Sequence, residues 1–303
     1  MSQKTVFVYH KADFDGIGTA AIARAAHPEF IFVGYDYGHP VPQELDSADE
    51  VCFADVSMPI EQMIELGKQK KMTWLDHHIT VVNDFKNWVA AHPEDNEITT
   101  IFDSKVATVE IAWKYYFPAK TMPKWVWALG VYDAWRREEV GETWWKNVIL
   151  PFQYGMKTYC NSLEHFPVSL FQTSNENGDV DTESESQMRK IIATGEAAMM
   201  YANRVNEDLA CQNAFTARIA GTDFNAICLN TAERGSSTIS SQWKPDMHDV
   251  MLTFNYTGKF WRVSFYTVKP DIDCSKIAKL FNGGGHKGAA GCQTDDVWKI
   301  IVR

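Results

Sequence analysis

At 303 residues the chain exceeds one small domain and can build one large or two medium domains, each with a sizeable core. A hydrophobic content of 45% with 13% aromatics fits a globular chain, and no apolar run approaches the roughly 18 residues of a membrane span. The start, Met1-Ser2-Gln3-Lys4, lacks an apolar signal segment, so residence in the cytoplasm, away from any membrane, is expected. A formal net charge of -10 argues against wrapping long nucleic acid, while leaving small anions open if positive charge is local. The six cysteines are scattered without a C-x-x-C pair, which argues against a zinc ribbon, a redox dithiol or a disulfide framework.

Residues 5–9 read as a short buried strand, followed by a helix over 16–26 and strands over 30–35 and 50–54. A helix over 59–70 and a strand over 72–75 continue the alternation, which predicts a parallel sheet covered by helices, with its site at the carboxyl ends of the strands. Residues 103–117 and 123–137 read as helices, and Trp125, Trp127 and Trp135 in the second are taken as core packing rather than a base-stacking platform. The stretch 141–182 reads as less regular, with Trp144-Trp145 and Phe152-Gln153-Tyr154 packing over the cleft in preference to mediating dimerisation. Ser174-Asn175-Glu176-Asn177-Gly178-Asp179 marks a boundary there.

A long helix is predicted over 182–210, with Met188, Ile191, Ile192, Met199, Ala202, Val205 and Leu209 on one face. Gly195 falls on that face and weakens the middle of the helix by about 1 kcal/mol relative to alanine. Strands return over 215–219, 225–229, 250–256 and 260–266, with a Thr257-Gly258 turn, then a short helix over 275–281. The fold class is therefore α/β: an N-terminal domain over 1–181, a linker helix over 182–210 and a smaller C-terminal domain over 211–303.

Three clusters carry chemistry. His10, Asp13 and Asp15 follow the first strand within six residues, Asp55 follows the strand ending at Ala54, and Asp76-His77-His78 closes the strand ending at Leu75. Two divalent cations beside a phosphate need hard oxygen donors, some imidazoles and one bridging carboxylate. The spacing lets His10 and Asp13 face one metal and Asp15 another, with Asp55 as the bridge and Asp133 as a further carboxylate. Singly, each has a structural reading: Asp13 or Asp15 as the cap of the helix over 16–26, Asp55 as a cap near Ser57, Asp133 as an exposed helical carboxylate. A fourth cluster, Gly283-Gly284-Gly285-His286, lets backbone N–H groups approach an anion while His286 and Lys287 add charge, with an ordinary turn as the alternative.

These residues resemble the DHH phosphoesterase family with its DHH-associated C-terminal domain, over nearly the whole chain. His10-Lys11-Ala12-Asp13-Phe14-Asp15-Gly16, Ala54-Asp55, Asp76-His77-His78 and Asp133 are similar to its four motifs, although Val131 stands where many relatives have another aspartate. Asp273-Cys274-Ser275-Lys276-Ile277-Ala278 and the run from Gly283 to Gly291 are similar to its C-terminal domain. The resemblance implies an active site in a cleft beneath the second domain, holding two divalent ions, usually Mn2+, with Mg2+ or Co2+ as alternatives. By position, His10, Asp13 and Asp55 would hold one ion and Asp15, Asp55, His77 and Asp133 the other. Asp55, His77 and His78 would be catalytic, with His78 touching the scissile phosphate or lying behind the metals, and Asp76 would orient the histidines. Gly283, Gly284, Gly285 and His286 would bind substrate, and water shared by the metals would attack phosphorus and release a 5'-mononucleotide.

Within that family, no basic cluster in the C-terminal domain suggests a pyrophosphatase, no added domain a long-strand exonuclease and no membrane segment a membrane-bound cyclic dinucleotide enzyme. The expectation is a cytoplasmic oligoribonuclease-like phosphodiesterase, nanoRNase-like in kind, cutting short linear oligonucleotides or dinucleotides (pGpG, pApA, pApG) to mononucleotides. A cyclic dinucleotide phosphodiesterase or a 3'-phosphoadenosine-5'-phosphate phosphatase is the enzymatic alternative. A catalytically silent nucleotide-binding module is the non-enzymatic one. A homodimer is compatible with all three.

Overall fold

The computed structural model describes residues 3–92, 98–171, 182–233 and 235–302; the boundary expected at 174–179 lies outside the described residues. The chain forms two compact units, Met1–Ala198 and Met199–Arg303, which divide inside one long helix.

In the first unit, β1 (Thr5–His10), β2 (Ile31–Tyr35), β3 (Glu50–Ala54), β4 (Lys71–Asp76) and β5 (Thr99–Phe102) form a five-stranded parallel sheet of order β2-β1-β3-β4-β5. Around it run α1 (Phe14–Ala26), α2 (Ile60–Gln69), α3 (Ile79–Ala91), α4 (Thr108–Tyr116) and α5 (Lys124–Asp133). Alternate strand residues feed two cores. Phe7, Cys52, Ala54 and Leu75 pack with α1, α4 and α5, and Val6, Val8, Val51, Phe53, Met72 and Trp74 pack with α2 and α3. Because both faces are covered, the strands are continuous apolar runs, which is what made them readable. The strand order reverses between β1 and β3, and such a switch opens a crevice at the carboxyl ends of the two strands.

Two expectations need correction after β5. The helix expected over 103–117 begins only at Thr108, because Asp103 holds a turn by accepting from the Lys105 N–H at 3.0 Å. The stretch from 141 is mostly helical as far as 159: α6 (Arg137–Trp144) is broken at Gly141 (φ 74°), a π-helical turn spans Trp145–Ile149, and α7 (Leu150–Tyr159) follows. Trp145, Ile149, Phe152 and Met156 are its buried stripe at helical spacing.

Against α7 packs α8 (Thr182–Asn213). A Cβ on Gly195 would stand 1.7 Å from the Pro151 carbonyl oxygen, and one on Gly155 would stand 2.0 Å from that of Ile191. Close backbone approach therefore explains the mid-helix glycine that propensity disfavours. Farther along α8, Val205 is exposed and Asn206 and Ala210 take the buried positions. Gly195→Ala should thus destabilise the protein by about 1–3 kcal/mol, against the gain of about 1 kcal/mol that propensity alone gives. Urea denaturation decides between the two signs.

The second unit is a seven-stranded sheet of order β10-β11-β9-β8-β7-β6-β12. Its strands are β6 (Phe215–Ile219), β7 (Asn225–Asn230), β8 (Val250–Tyr256), β9 (Trp261–Tyr266), β10 (Gly284–Gly285), β11 (Ala289–Thr294) and β12 (Ile301–Val302). Among the described residues of this unit only β7 and β8 pair in parallel. A short helix, α9 (Cys274–Lys279), capped by Asp273, lays Cys274, Ile277 and Ala278 on Val263, Phe265 and Cys292. Among the described residues no helix is long and apolar enough to cross a membrane.

Candidate metal centre

Apart from Asp133, at the end of α5, the polar residues of the site stand at a strand end or cap a helix of the first unit. His10 ends β1, and α1 can start close behind it only because residue 16 is glycine: a Cβ there would stand 2.1 Å from the His10 carbonyl oxygen. Asp13 caps α1, accepting from the Gly16 N–H at 2.9 Å. Asp15 caps a different helix. Its carboxylate crosses to the first turn of α4 and accepts from the N–H groups of Thr108 at 2.9 Å and Val109 at 2.7 Å. The capping roles of Asp13 and Asp15 therefore coexist with their place in the cluster.

Asp55 follows β3 in the left-handed region, φ 63°, where aspartate is one of the few tolerated side-chain-bearing residues. Its N–H donates to the Leu75 carbonyl at 3.0 Å, and Thr108 Oγ1 donates to its Oδ1 at 3.0 Å. Asp55 does not cap α2, whose N-cap is Pro59. At the end of β4, buried Asp76 accepts from the His78 N–H at 2.9 Å and Nδ1 at 2.8 Å, and from Trp74 Nε1 at 3.3 Å. Asp76 thus orients His78. Asp133 is the last residue of α5.

Around Asp55 these side chains converge. His10 Nδ1 lies 2.7 Å from Asp13 Oδ2 and 3.6 Å from Asp55 Oδ2. His77 Nε2 lies 3.0 Å from Asp133 Oδ2 and 3.6 Å from both Asp15 Oδ2 and Asp55 Oδ1. Three sets have potential ligand atoms within 4.8 Å of one another: His10, Asp13 and Asp55; Asp15, His77 and Asp133; Asp55, His77 and His78. Despite these short distances, His10 Nδ1, His77 Nε2 and Asp55 Oδ2 are buried and form no hydrogen bond among the described residues. Carboxylates and imidazoles gathered this closely, with buried atoms left unbonded, could hold divalent cations.

The electrostatics agree with that fit. Burial, then the charge of Asp133, lifts Asp15 to about 7, and burial, then the charge of Asp15, raises Asp55 well above the usual carboxylate range. Burial would pull both histidines down, yet the closeness of Asp13 carries His10, and that of Asp133 carries His77, up to about 9. Without a cation the cluster thus retains protons at neutral pH.

The raised histidines stabilise below their unfolded value of about 6.5 and lose that contribution as pH rises through about 9. Raised Asp15 binds its proton more tightly folded than unfolded, so it loses stability between about 4 and 7. The cation-free protein should therefore melt at progressively lower temperature from about pH 6 to about pH 9.5. Added Mn2+, which favours the deprotonated ligands, should flatten or reverse the slope. Scanning calorimetry in EDTA and in Mn2+ measures both.

The structure places His10, Asp13, Asp15, Asp55, His77, His78 and Asp133 in this one cluster of the first unit. Gly283, Gly284, Gly285 and His286 belong to the second unit, where Gly284 and Gly285 form β10, paired with Gly291 and Ala290 of β11. A Cβ on Gly283 would stand 2.2 Å from the Gly291 oxygen and one on Gly285 2.6 Å from Ala290 Cα, so strand packing accounts for these two glycines. The His286 N–H donates to the Ala289 carbonyl at 2.7 Å.

Two neighbours were not read from the sequence. Asp36, just past β2, lies 3.4 Å from His10 Nε2 and carried the same strand-end signal as Asp55. Thr108 had no such signal. Trp135 corrects the core reading: Trp125 is buried, but Trp135 is 61% exposed, at φ 52°, edge-on to Trp145 with ring centroids 5.0 Å apart. It lies just beyond the end of α5, where the chain turns left-handed and outward.

No family model matches the chain, and no curated protein matches it. Solved structures do. The chain is similar to RecJ from Thermus thermophilus in complex with Mn2+, with a TM-score of 0.51 and 13% identity over 97% of this chain and 50% of that one. It is similar to an exopolyphosphatase-related protein from Bacteroides fragilis, with a TM-score of 0.50 and 16% identity over 95% and 86% of the two chains. A pGpG-specific phosphodiesterase, PggH, from Vibrio cholerae aligns at a TM-score of 0.46 and 12% identity over 98% and 95%. The first two likenesses show a shared fold.

Proposed function

We propose that the chain is a DHH-type phosphoesterase, a metal-dependent hydrolase that cuts short linear oligonucleotides, foremost dinucleotides such as pGpG, pApA and pApG, to 5'-mononucleotides. The observation that carries this reading is the set of three ligand groups, two of them sharing Asp55 and two sharing His77, with buried atoms of His10, His77 and Asp55 left without a hydrogen bond. His10, Asp13 and Asp55 would hold one divalent cation, and Asp15, Asp55, His77 and Asp133 the other. Bound there, such ions would lower the pKa of water and offset charge on the phosphate oxygens. RecJ, which shares the fold, is known in complex with Mn2+, and the mix of imidazole and carboxylate here suits the same ion.

His78, its ring fixed through Nδ1 by Asp76, is the proposed contact to the scissile phosphate. Gly283, Gly284, Gly285 and His286 of the second unit are proposed to bind an anionic group. A substrate panel tests the proposal: pGpG, pApA, a pentanucleotide, cyclic dinucleotides and 3'-phosphoadenosine 5'-phosphate, each with Mn2+ and with Mg2+. Mononucleotide release from the linear dinucleotides, stopped by EDTA, is the expected result. No turnover of any member would overturn the proposal, and turnover confined to the cyclic or bisphosphate substrates would move it to that class.

A further inference from the structure

Asp13, Asp15 and Asp133 also line a cavity of ≈ 370 Å³ in the first unit, whose other walls include Lys11 and, on α7, Gln153 and Lys157. That volume lies at the small end of the roughly 300–1,000 Å³ typical of ligand pockets, which suits one nucleotide rather than a longer strand. Gln153 is the informative wall. It is 4% exposed and lines the cavity, and no hydrogen bond within the described residues engages its amide. A primary amide has two donors and an acceptor oxygen, and one that faces a cavity without an intramolecular partner can present them to a ligand.

Gln153 and Lys157 are four residues apart and so share one face of α7. The close crossing of Gly155 and Gly195 locks that helix to α8, so both side chains stand on a rigid support. Lys157 Nζ lies 4.9 Å from the centre of the Tyr154 ring, and Phe14, Leu129 and Tyr132 supply apolar and aromatic wall. With the charge of Asp13, Asp15 and Asp133 offset by the proposed cations, an amide, apolar walls and two ammonium groups match a heteroaromatic base with a hydrogen-bonding edge joined to a phosphate.

We infer that this cavity binds one nucleotide unit, with Gln153 reading the edge of the base and Lys157, aided by Lys11, holding its phosphate. The inference deepens the phosphodiesterase reading and rests on it. Gln153 becomes a residue that sets base preference, and α7 becomes the element that supplies specificity beside the metal centre.

Calorimetric titration of the full chain with AMP, GMP and ribose 5-phosphate in Mg2+ tests it, with hydrolysis of the dinucleotides and of bis(4-nitrophenyl) phosphate by the wild type in Mn2+ followed in parallel. The wild type should bind AMP or GMP at least about tenfold more tightly than ribose 5-phosphate, as a well-met buried hydrogen bond allows. Gln153→Met, close in volume, should erase that preference. Lys157→Gln, at an exposed position, should weaken all three ligands alike by about tenfold. Equal affinity for nucleotides and ribose 5-phosphate, preference retained in Gln153→Met, or unchanged binding in Lys157→Gln would overturn the subsite. If the wild type cleaves no phosphodiester while the binding pattern holds, the phosphodiesterase reading fails and the subsite stands. The Lys157 variant keeps the test decisive should Gln153→Met fail to fold.

Discussion

Asp55→Asn is expected to lower phosphodiester hydrolysis on the order of a thousandfold while raising the melting temperature of the cation-free protein. Asp55 is 1% exposed and belongs to two of the three ligand sets. Asparagine loses the anionic bridge between the proposed ions, yet it tolerates φ 63° as aspartate does, and its carbonyl can still accept from Thr108 Oγ1. The fold therefore has no reason to suffer. Burial and the neighbouring Asp15 charge disfavour ionised Asp55, so a neutral side chain relieves repulsion, most of all above neutral pH. Turnover and calorimetry on the same preparation test both halves, and a variant retaining a tenth of wild-type turnover would remove Asp55 from the chemistry. Asp55→Ala should be equally inactive but less stable than Asp55→Asn, because alanine has no side-chain oxygen for Thr108 and is strained at positive φ.

What the sequence made legible follows from what positions the site. Strands buried on both faces are continuous apolar runs, so the polar residue that ends each run stands out, as at His10, Asp55 and Asp76. Asp36 met the same criterion but runs into a turn containing His39 and Pro40, where an aspartate looks like turn chemistry. Thr108 was invisible because a hydroxyl in a helix's first turn carries no mark of its partner 53 residues away. The stripe Trp145, Ile149, Phe152 and Met156 was present in the sequence but spans a π-helical turn after a break at Gly141, which blurs the period. Gly195 and the glycines from 283 to 285 show the limit of residue-type reasoning. Their role depends on which backbone lies opposite, and that is a property of the assembled fold. The resemblance to the DHH family was legible from motifs, and the structural likeness that bears on it is one of fold.

The contrast with Asp55 makes Asp15 the sharper test of how chemistry and folding share one carboxylate. Asp15→Ala is expected to abolish hydrolysis as Asp55→Asn does, but to destabilise the protein by about 2–4 kcal/mol, since two buried N–H groups at the start of α4 lose their acceptors. Helix α4 packs on α1 in the larger core, so a loosened first turn would also disturb Thr108 and through it Asp55. Relief of the buried charge offsets part of this. Because Asp15 is held at about 7, its ionisation weakens the cation-free wild type as pH rises from its unfolded value toward neutrality, so the stability gap to Asp15→Ala should narrow between about pH 4 and about pH 7. Chemical denaturation across that range in EDTA measures the gap. If Asp15→Ala proved as stable as the wild type at the acidic end of that range, the crossing hydrogen bonds to α4 would have no energetic role. Inactivity shared by both variants, with stability moving in opposite directions, would then separate the carboxylate whose charge serves the metal alone from the one whose oxygens also tie α1 to α4.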